Sequence, residues 1–189
     1  MAIQPTAIVL HDARISPSVS VGPYAVIGAA ELGEVCEIQP PVAIAGNGSL
    51  GHYSAICCDT AIGNATLIGN GASIRERFII GANCIVNRGV SVNYDAKNGN
   101  RSNIIDLTLI VGNTAISMDV FVSVPVGSAN DNLLRTGYGD NAMVHTIDDR
   151  VVIGFDATIS ASATVAKRVT DATLIAGTPA RFVQSLEPK

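Results

Sequence analysis

Residues 62–80 decide the fold and read Ile62-Gly-Asn-Ala-Thr-Leu-Ile68-Gly-Asn-Gly-Ala-Ser-Ile74-Arg-Glu-Arg-Phe-Ile-Ile80. An aliphatic residue returns at every sixth position of this stretch. The same count holds at eleven consecutive positions: Leu32, Ile38, Ile44, Leu50, Ile56, Ile62, Ile68, Ile74, Ile80, Val86 and Val92. An earlier block, one residue out of phase, consists of Ile3, Val9, Ile15, Val21 and Ile27, and a later block of Ile153, Ile159 and Val165.

A period of six fits neither the 3.6-residue period of an amphipathic helix nor simple strand alternation, which would not single out every third inward position. It fits a short strand followed by a corner, repeated three times in a triangular coil of 18 residues. Four residues after each aliphatic position the side chain is small or compact, with Phe78 as the exception. We expect the glycines and asparagines to lie where the chain turns, because they tolerate positive φ. The sequence therefore predicts an all-β solenoid.

The composition agrees with a narrow, layered core. Of the 189 residues, 48% are apolar but only 4% are aromatic, and there is no Trp. Charged residues make up 15% and the net charge is −4, which argues against both disorder and binding to nucleic acid through phosphates. No apolar run is long enough for a membrane span, and no secretory signal is visible at the N-terminus. The cysteines, Cys36, Cys57, Cys58 and Cys84, lack C-x-x-C spacing and are interpreted as buried thiols in a reducing cytoplasm.

Two segments leave the six-residue register. Residues 97–106 are polar and contain glycine, and residues 127–150 hold Gly, Ser, Asn and Asp in irregular order. We expect one or two loops extruded from a single domain of residues 1–189, with a C-terminal tail over 176–189. Loops on a rigid scaffold are common places for binding residues.

The repeat resembles that of the hexapeptide-repeat acyltransferases, whose fold is a left-handed parallel β-helix. The opening, Ile3-Gln-Pro-Thr-Ala-Ile-Val9 and Val21-Gly-Pro-Tyr-Ala-Val-Ile27-Gly28, is similar to the lipid A UDP-N-acetylglucosamine acyltransferases. The closing text from Ile153 to Val169, followed by Ile175-Ala-Gly-Thr-Pro-Ala-Arg181, resembles the last coil of the acetyl-CoA-dependent members and sugar acetyltransferases. The resemblance implies transfer of an acetyl or short acyl group to an amine or hydroxyl of a sugar or sugar nucleotide.

The resemblance also implies a donor site near the C-terminus. The family binds the pantetheine arm of coenzyme A between coils, where Ser160, Ala161 and Ala163 match small positions. Basic residues meet the CoA phosphates, which here are Lys167, Arg168 and Arg181. An acyl carrier protein is the alternative donor, but it calls for a broad basic face. The family packs three solenoids side by side, and outward apolar residues such as Ile79, Ile85 and Phe155 agree with a homotrimer.

Acyl transfer to a hydroxyl needs a general base, and the chain has three histidines, His11, His52 and His145. His145 borders the larger irregular segment and lies close to the expected CoA coil, so we favour it over His52, which follows Leu50-Gly51 near a corner.

In the sialic acid and bacillosamine acetyltransferases the base lies in an aliphatic-Asp-His-Asp-Cys motif. Here Val92-Asn93-Tyr94-Asp95-Ala96 places Tyr94 at the base position and Asp95 at the following aspartate. A tyrosine with a pKa near 10 is a poor general base, which favours an amine acceptor or a protein that has lost catalysis. A non-catalytic scaffold therefore remains an alternative. A zinc hydratase on the same fold would need three histidine ligands, two of them five residues apart, and we expect no metal site.

Overall fold

The structure is a computed structural model, and it describes residues 2–9, 13–29, 43–44, 46, 48–129, 146–154, 157–159, 164–165, 173–176 and 181–185. Regular structure in these residues consists of short strands, most of them two residues long. No helix long and apolar enough to cross a membrane occurs in this part of the chain. The architecture is therefore a solenoid of strands and corners, as the six-residue period predicts.

The strands, in chain order, are β1 (Ala2–Ile3), β2 (Ile8–Val9), β3 (Arg14–Ile15), β4 (Ser20–Val21), β5 (Val26–Ala29), β6 (Ala43–Ile44), β7 (Ser49–Leu50), β8 (Ala55–Cys57), β9 (Ala61–Ile62), β10 (Leu67–Ile68), β11 (Ser73–Ile74), β12 (Ile79–Ile80), β13 (Ile85–Val86), β14 (Ser91–Val92), β15 (Lys97–Asn98), β16 (Asn103–Ile104), β17 (Leu109–Ile110), β18 (Ala115–Ile116), β19 (Phe121–Val122), β20 (Gly127–Ser128), β21 (Thr146–Ile147), β22 (Val152–Ile153), β23 (Thr158–Ile159), β24 (Thr164–Val165), β25 (Thr173–Ala176) and β26 (Arg181–Ser185).

Up to β24, every third strand joins the same sheet in parallel, which gives three sheets around one core. Sheet A runs β1-β4-β7-β10-β13-β16-β19-β22, sheet B runs β2-β5-β8-β11-β14-β17-β20-β23-β25-β26, and sheet C runs β3-β6-β9-β12-β15-β18-β21-β24. Within the regular part, paired residues lie 18 positions apart, as in Leu67 with Ile85 and Ser73 with Ser91. This is the predicted left-handed parallel β-helix with three six-residue units in each coil.

The core is a column of aliphatic side chains supplied by the second residue of each strand. Ile56, Ile74, Val86 and Val92 are each fully buried, and each such residue contributes roughly 1.5–3 kcal/mol of burial free energy. The small corner positions predicted from the sequence also face inward; the buried ones include Ser54, Thr60, Thr66, Ala72, Cys84, Val90 and Ala96, together with Phe78. The aliphatic count stops after Val92 because the next inward position is Asn98, which is also buried.

The reason for the glycines at the corners differs from the positive φ that we expected. From Tyr53 to Asp119, every sixth residue has positive φ: Tyr53, Asp59, Ala65, Gly71, Arg77, Asn83, Gly89, Asp95, Arg101, Leu107, Asn113 and Asp119. The glycines that directly follow inward residues are not in this set. A Cβ on Gly63 would lie 2.5 Å from the carbonyl carbon of Gly81, and one on Gly69 would lie 2.5 Å from that of Asn87. Close approach of the next coil, and not positive φ, therefore requires these glycines.

The prediction of a loop over residues 97–106 is wrong. β15 pairs with β12 and β18, and β16 pairs with β13 and β19, all in the regular 18-residue register. Most polar residues of this segment lie at outward and corner positions, whereas Asn98 and Ser102 are buried within the regular coil, so composition alone does not distinguish the segment from a loop. The proposed tail 176–189 also contains structure, since β26 pairs antiparallel with β25 at the end of sheet B.

Two other places do interrupt the coil. Ser128 pairs with Ile159, which is 31 positions away instead of 18, so the chain between these two strands is 13 residues longer than one regular coil. Of the loop predicted over 127–150, residues 127–129 and 146–150 belong to the coil, and 130–145 lie outside the described residues. Ile15 pairs with Ile44, 29 positions away, which is 11 additional residues. Leu32 and Ile38, the first two members of our aliphatic count, lie outside the described residues.

Candidate functional site

The predicted site residues occupy two different corners of the solenoid. We call AB corner the turns that join sheet A to sheet B (51–54, 69–72, 87–90, 105–108), and BC corner those that join sheet B to sheet C (57–60, 75–78, 93–96, 111–114). The CA corner closes each coil (63–66, 81–84, 99–102, 117–120). His52 lies on the AB corner, whereas Tyr94 and Asp95 lie on the BC corner. Sheet B lies between them, so one chain does not bring His52 and Tyr94 together.

Tyr94 is held firmly at the BC corner. The guanidinium carbon of Arg75 lies 5.5 Å from the centroid of its ring, which is within range of a cation–π interaction. On the other side the ring packs on Gly112, where a Cβ would come within 2.7 Å of a ring carbon. Glu76 accepts hydrogen bonds from the guanidinium of Arg75 at 3.3 Å. The ring of Tyr94, which we predicted to occupy the position of the catalytic base, therefore packs between Gly112 and an arginine.

Asp95 forms a bidentate ion pair one coil back along the same corner. The Nε of Arg77 donates to Oδ1 at 2.6 Å and a terminal nitrogen donates to Oδ2 at 2.9 Å. The hydrogen bonds from Arg77 lower the pKa of Asp95, and burial opposes this to a smaller extent. A carboxylate with a lowered pKa is a weaker proton acceptor, so a catalytic role for Asp95 requires the Arg77 pair to open.

Asp59, one coil before Arg77 on this corner, has a carboxylate oxygen, Oδ1, that is buried and has no hydrogen-bond partner. The BC corner thus carries Arg75 and Glu76 on the side of Tyr94, and Asp59 and Arg77 in line with Asp95. The sequence did not single out any of these four residues.

His52 lies on a more open part of the surface. Its backbone N–H donates to Oδ1 of Asn70 at 3.0 Å, and the side chain is exposed. The neighbouring Tyr53 stacks on Tyr24 of the preceding coil, with ring centroids 5.1 Å apart and ring planes 9° apart. Tyr24 and Tyr53 are 53% and 67% exposed, which is high for aromatic residues. His52 thus has an aromatic pair next to it on the same corner.

Among the described residues, each corner carries an arginine–aspartate pair between successive coils. The pairs of the BC and CA corners are bidentate, whereas both guanidinium nitrogens of Arg88 contact the same oxygen of Asp106, Oδ2. Besides Arg77–Asp95, Arg88 contacts Asp106 on the AB corner, and Arg101 contacts Asp119 on the CA corner with an Nε to Oδ1 distance of 2.7 Å. The two residues of each pair are 18 positions apart. A search of the sequence for arginine and aspartate separated by one coil length would therefore have found them.

The predicted donor site can be located only in part. Arg181 is the first residue of β26, is exposed, and pairs with Ala176. Ser160, Ala161, Ala163, Lys167, Arg168, His145 and Phe155 lie outside the described residues. The roles predicted for these residues remain predictions.

The described cysteines agree with the prediction of buried thiols. Cys57, Cys58 and Cys84 are all buried. Burial raises the pKa of the Cys84 thiol, and nearby hydrogen bonds oppose this. In the part of the chain that the structure describes, no group of three or more His, Cys, Asp or Glu side chains is arranged to hold a metal ion.

The chain is similar to known acyltransferases. It is 32% identical over 98 residues to the acyl-[acyl-carrier-protein]–UDP-N-acetylglucosamine O-acyltransferase of Rickettsia canadensis (strain McKiel); the match covers 51% of this chain and 37% of the relative. The chain therefore matches little more than a third of that relative's length. No protein-family model matches the sequence.

Solved structures share the architecture. A UDP-N-acetylglucosamine acyltransferase superposes with a TM-score of 0.60 at 15% identity, over 96% of this chain and 73% of the other. PerB from Caulobacter crescentus, solved with CoA and GDP-perosamine, gives a TM-score of 0.44 at 18% identity, over 96% and 56%. The first likeness shows the fold alone, and the second is too low to bear on function. The chain thus has the hexapeptide repeat and the left-handed β-helix in its structure, and over about half of its length its sequence is similar to that of the Rickettsia O-acyltransferase.

Proposed function

We propose that the protein transfers an acyl group from a thioester donor to an amine or hydroxyl of a sugar or sugar nucleotide. The observation that carries this proposal is the 32% identity to the Rickettsia O-acyltransferase, whose name gives UDP-N-acetylglucosamine as its acceptor. The β-helix agrees with it, because the same fold is found in another UDP-N-acetylglucosamine acyltransferase. Fold alone does not imply function, so the activity has to be tested directly.

Acetyl-CoA or another short acyl-CoA is the proposed donor. The charges of the described surface favour it, because Arg77, Arg88 and Arg101 are each paired with an aspartate and leave no broad basic face for a carrier protein. The second candidate donor, an acyl carrier protein, is favoured by the name of the Rickettsia relative. In our proposal Arg181 belongs to the group of cations that meets the CoA phosphates.

Calorimetric titration of the full chain with acetyl-CoA tests the donor. We expect saturable binding, weakened in Arg181→Ala because a charge-assisted hydrogen bond to phosphate is lost. Lys97→Ala is the matched control, since Lys97 is an exposed cation on sheet C. If the protein does not bind acetyl-CoA but accepts an acyl group from an acyl carrier protein, the donor is the acyl carrier protein. If the protein neither binds nor uses either donor, the non-catalytic scaffold is the remaining interpretation.

The need for a general base depends on whether a hydroxyl or an amine of the sugar is acylated. If a hydroxyl is acylated, we propose His145 as the base, with His52 as the alternative. Loss of the base should lower turnover by about 10²–10⁴ while CoA affinity stays unchanged. If an amine is acylated, His145→Ala should have little effect, and Tyr94→Phe should cost at most about 0.5–1.5 kcal/mol, the value of one hydrogen bond.

The pH dependence of kcat/KM decides between the histidines. We expect an acidic limb near pH 6–7, the usual pKa range of histidine, in the wild type and its loss in His145→Ala. A limb that survives this substitution but disappears in His52→Ala would assign the base to His52. The exposure of His52 at the AB corner makes it accessible to an acceptor.

We also propose a homotrimer with sites between subunits. Outward side chains on the described faces include Leu67, Ile79 and Phe121, which are 43%, 50% and 39% exposed. Packing three solenoids side by side would bury such residues and join corners of neighbouring chains. Sedimentation at micromolar concentration should give a trimer, and a stable 19.5 kDa monomer would contradict the proposal.

A further inference from the structure

The AB corner carries an aromatic stack that stops abruptly. Along the solenoid, the positive-φ position of this corner is occupied in turn by Tyr24, Tyr53, Gly71, Gly89 and Leu107. The centroid distance of 5.1 Å between the rings of Tyr24 and Tyr53 is close to the spacing of about 4.8 Å between neighbouring strands. The stack therefore runs parallel to the solenoid axis. Tyr24 covers one face of the Tyr53 ring, and the other face points towards the coil that contains Gly71.

Among the described residues, the space above Gly71 on that side is open. A Cβ built on Gly71 would meet no atom within 4 Å. One coil further on, a Cβ on Gly89 would meet the Cδ2 of Leu107 at 2.9 Å, so the Leu107 side chain lies over Gly89. The open space above Gly71 is thus bounded by the Tyr53 ring on one side and by Leu107 on the other. It can accept one planar ring as the next layer of the stack.

Two polar side chains of the AB corner, Asn70 and Arg88, belong to the turn that contains Gly71 and to the next turn. Asn70 uses its Oδ1 to accept the backbone N–H of His52, and its amide nitrogen makes no hydrogen bond within the described residues. Arg88 is 69% exposed and contacts Asp106 through Nε and one terminal nitrogen. A guanidinium has five N–H donors, so Arg88 keeps donors for an anion.

We propose that the open face of Tyr53 above Gly71 binds the base of a nucleoside diphosphate. The base continues the Tyr24–Tyr53 stack, the amide nitrogen of Asn70 donates to a carbonyl on the base edge, and the exposed guanidinium of Arg88 contacts the phosphates. A hydrocarbon ligand would leave these polar groups unused, whereas a nucleotide satisfies them and the ring face together. The inference rests on the proposed function, since the site would hold the nucleotide part of the sugar-nucleotide acceptor.

Titration of the full chain with UDP and with GDP tests the site without any acyl donor. Gly71→Asn fills the space, and the fold accepts asparagine at this position because Asn83 and Asn113 have the same positive φ on the other two corners. We expect Gly71→Asn to weaken nucleoside diphosphate binding about 5- to 100-fold, the range for loss of one stacked base. Ala65→Asn is the matched control at the CA corner and should bind like the wild type.

Substitutions of Tyr53 separate stacking from the hydroxyl group. Tyr53→Phe should keep the affinity within about two-fold, whereas Tyr53→Ala should weaken binding as much as Gly71→Asn. Binding of neither nucleotide at about 1 mM, equal affinity of Gly71→Asn and wild type, or an equal loss in Ala65→Asn would overturn the site.

The outcomes also separate the site from the proposed function. Nucleotide binding that is lost in Gly71→Asn, in a protein without acyl transfer to any sugar nucleotide, would keep the site and reject the function. Acyl transfer to a sugar nucleotide with an unchanged KM in Gly71→Asn would keep the function and reject the site.

Discussion

Tyr53 on the AB corner and Tyr94 on the BC corner share one sequence feature and have opposite structures. Each tyrosine has a glycine exactly one coil later, Gly71 for Tyr53 and Gly112 for Tyr94. The Tyr94 ring lies on Gly112, but no atom lies within 4 Å of a Cβ at Gly71. Tyr53 instead stacks backwards on Tyr24. The two tyrosines also differ in backbone position, since Tyr53 is the positive-φ residue of its turn and Tyr94 directly precedes the positive-φ residue Asp95. Equal spacing from a glycine therefore does not determine whether the space above that glycine is closed or open.

The largest expected effect is that of Gly112→Ala, which tests whether the BC corner is closed. The new methyl group would come within 2.7 Å of the Tyr94 ring, and the ring is held by Arg75 on its other side. We expect a loss of about 1–3 kcal/mol in the free energy of unfolding, measured by urea denaturation. Tyr94→Ala in the same chain should recover most of the loss. Simple additivity of the two substitutions would show that the ring does not press on Gly112.

Tyr24→Ala tests whether Tyr24 determines the orientation of Tyr53. Removing the stacking partner should lower the free energy of unfolding by about 0.5–1.5 kcal/mol, towards the lower value because both rings are exposed. Tyrosine fluorescence reports on the stack directly, since the chain has no tryptophan. Tyr24→Phe is the control and should behave like the wild type. An equal loss in Tyr24→Phe would mean that the hydroxyl, and not the ring, matters.

Acid unfolding tests the ion pair of the BC corner. Because Arg77 lowers the pKa of Asp95, the pair stabilises the protein above the ordinary aspartate pKa of about 3.9, and this stability is lost as the pH falls below it. The pair is largely exposed, so we expect less than about 1 kcal/mol. The difference in unfolding free energy between wild type and Asp95→Asn should be present at pH 7 and shrink towards pH 3. A difference that is constant over this range would contradict the assignment.

The smallest expected effect on stability is that of Gly71→Asn, which tests whether the AB corner is open. The position has positive φ, which asparagine tolerates, and the side chain enters empty space. We expect the free energy of unfolding to change by less than about 0.5 kcal/mol. A loss as large as that of Gly112→Ala would show that the space above Gly71 is filled and would remove the contrast between the corners.

The coil itself could be predicted from the sequence, but its interruptions only partly. The one-residue phase change between Ile27 and Ile44 was visible, and it reflects the 11 additional residues between Ile15 and its partner. Residues 97–106 were assigned to a loop on composition, although Asn98 occupies a regular inward position. A polar residue at an inward position interrupts the aliphatic pattern in the sequence, although the strand continues in the regular coil. The six-residue pattern alone therefore cannot distinguish such a residue from a loop.

The sequence by itself determined the six-residue unit, the 18-residue coil and the narrow aliphatic core, because burial of every sixth side chain is a property of the local chain. Only the tertiary structure decided that Asp95 pairs with Arg77, that Gly63 is required by the backbone of Gly81, and that Tyr53 leaves one face open. Each of these depends on which residue lies one coil away and on the side-chain rotamers there. Contacts between coils are non-local, and identical spacing leads to different contacts at different corners.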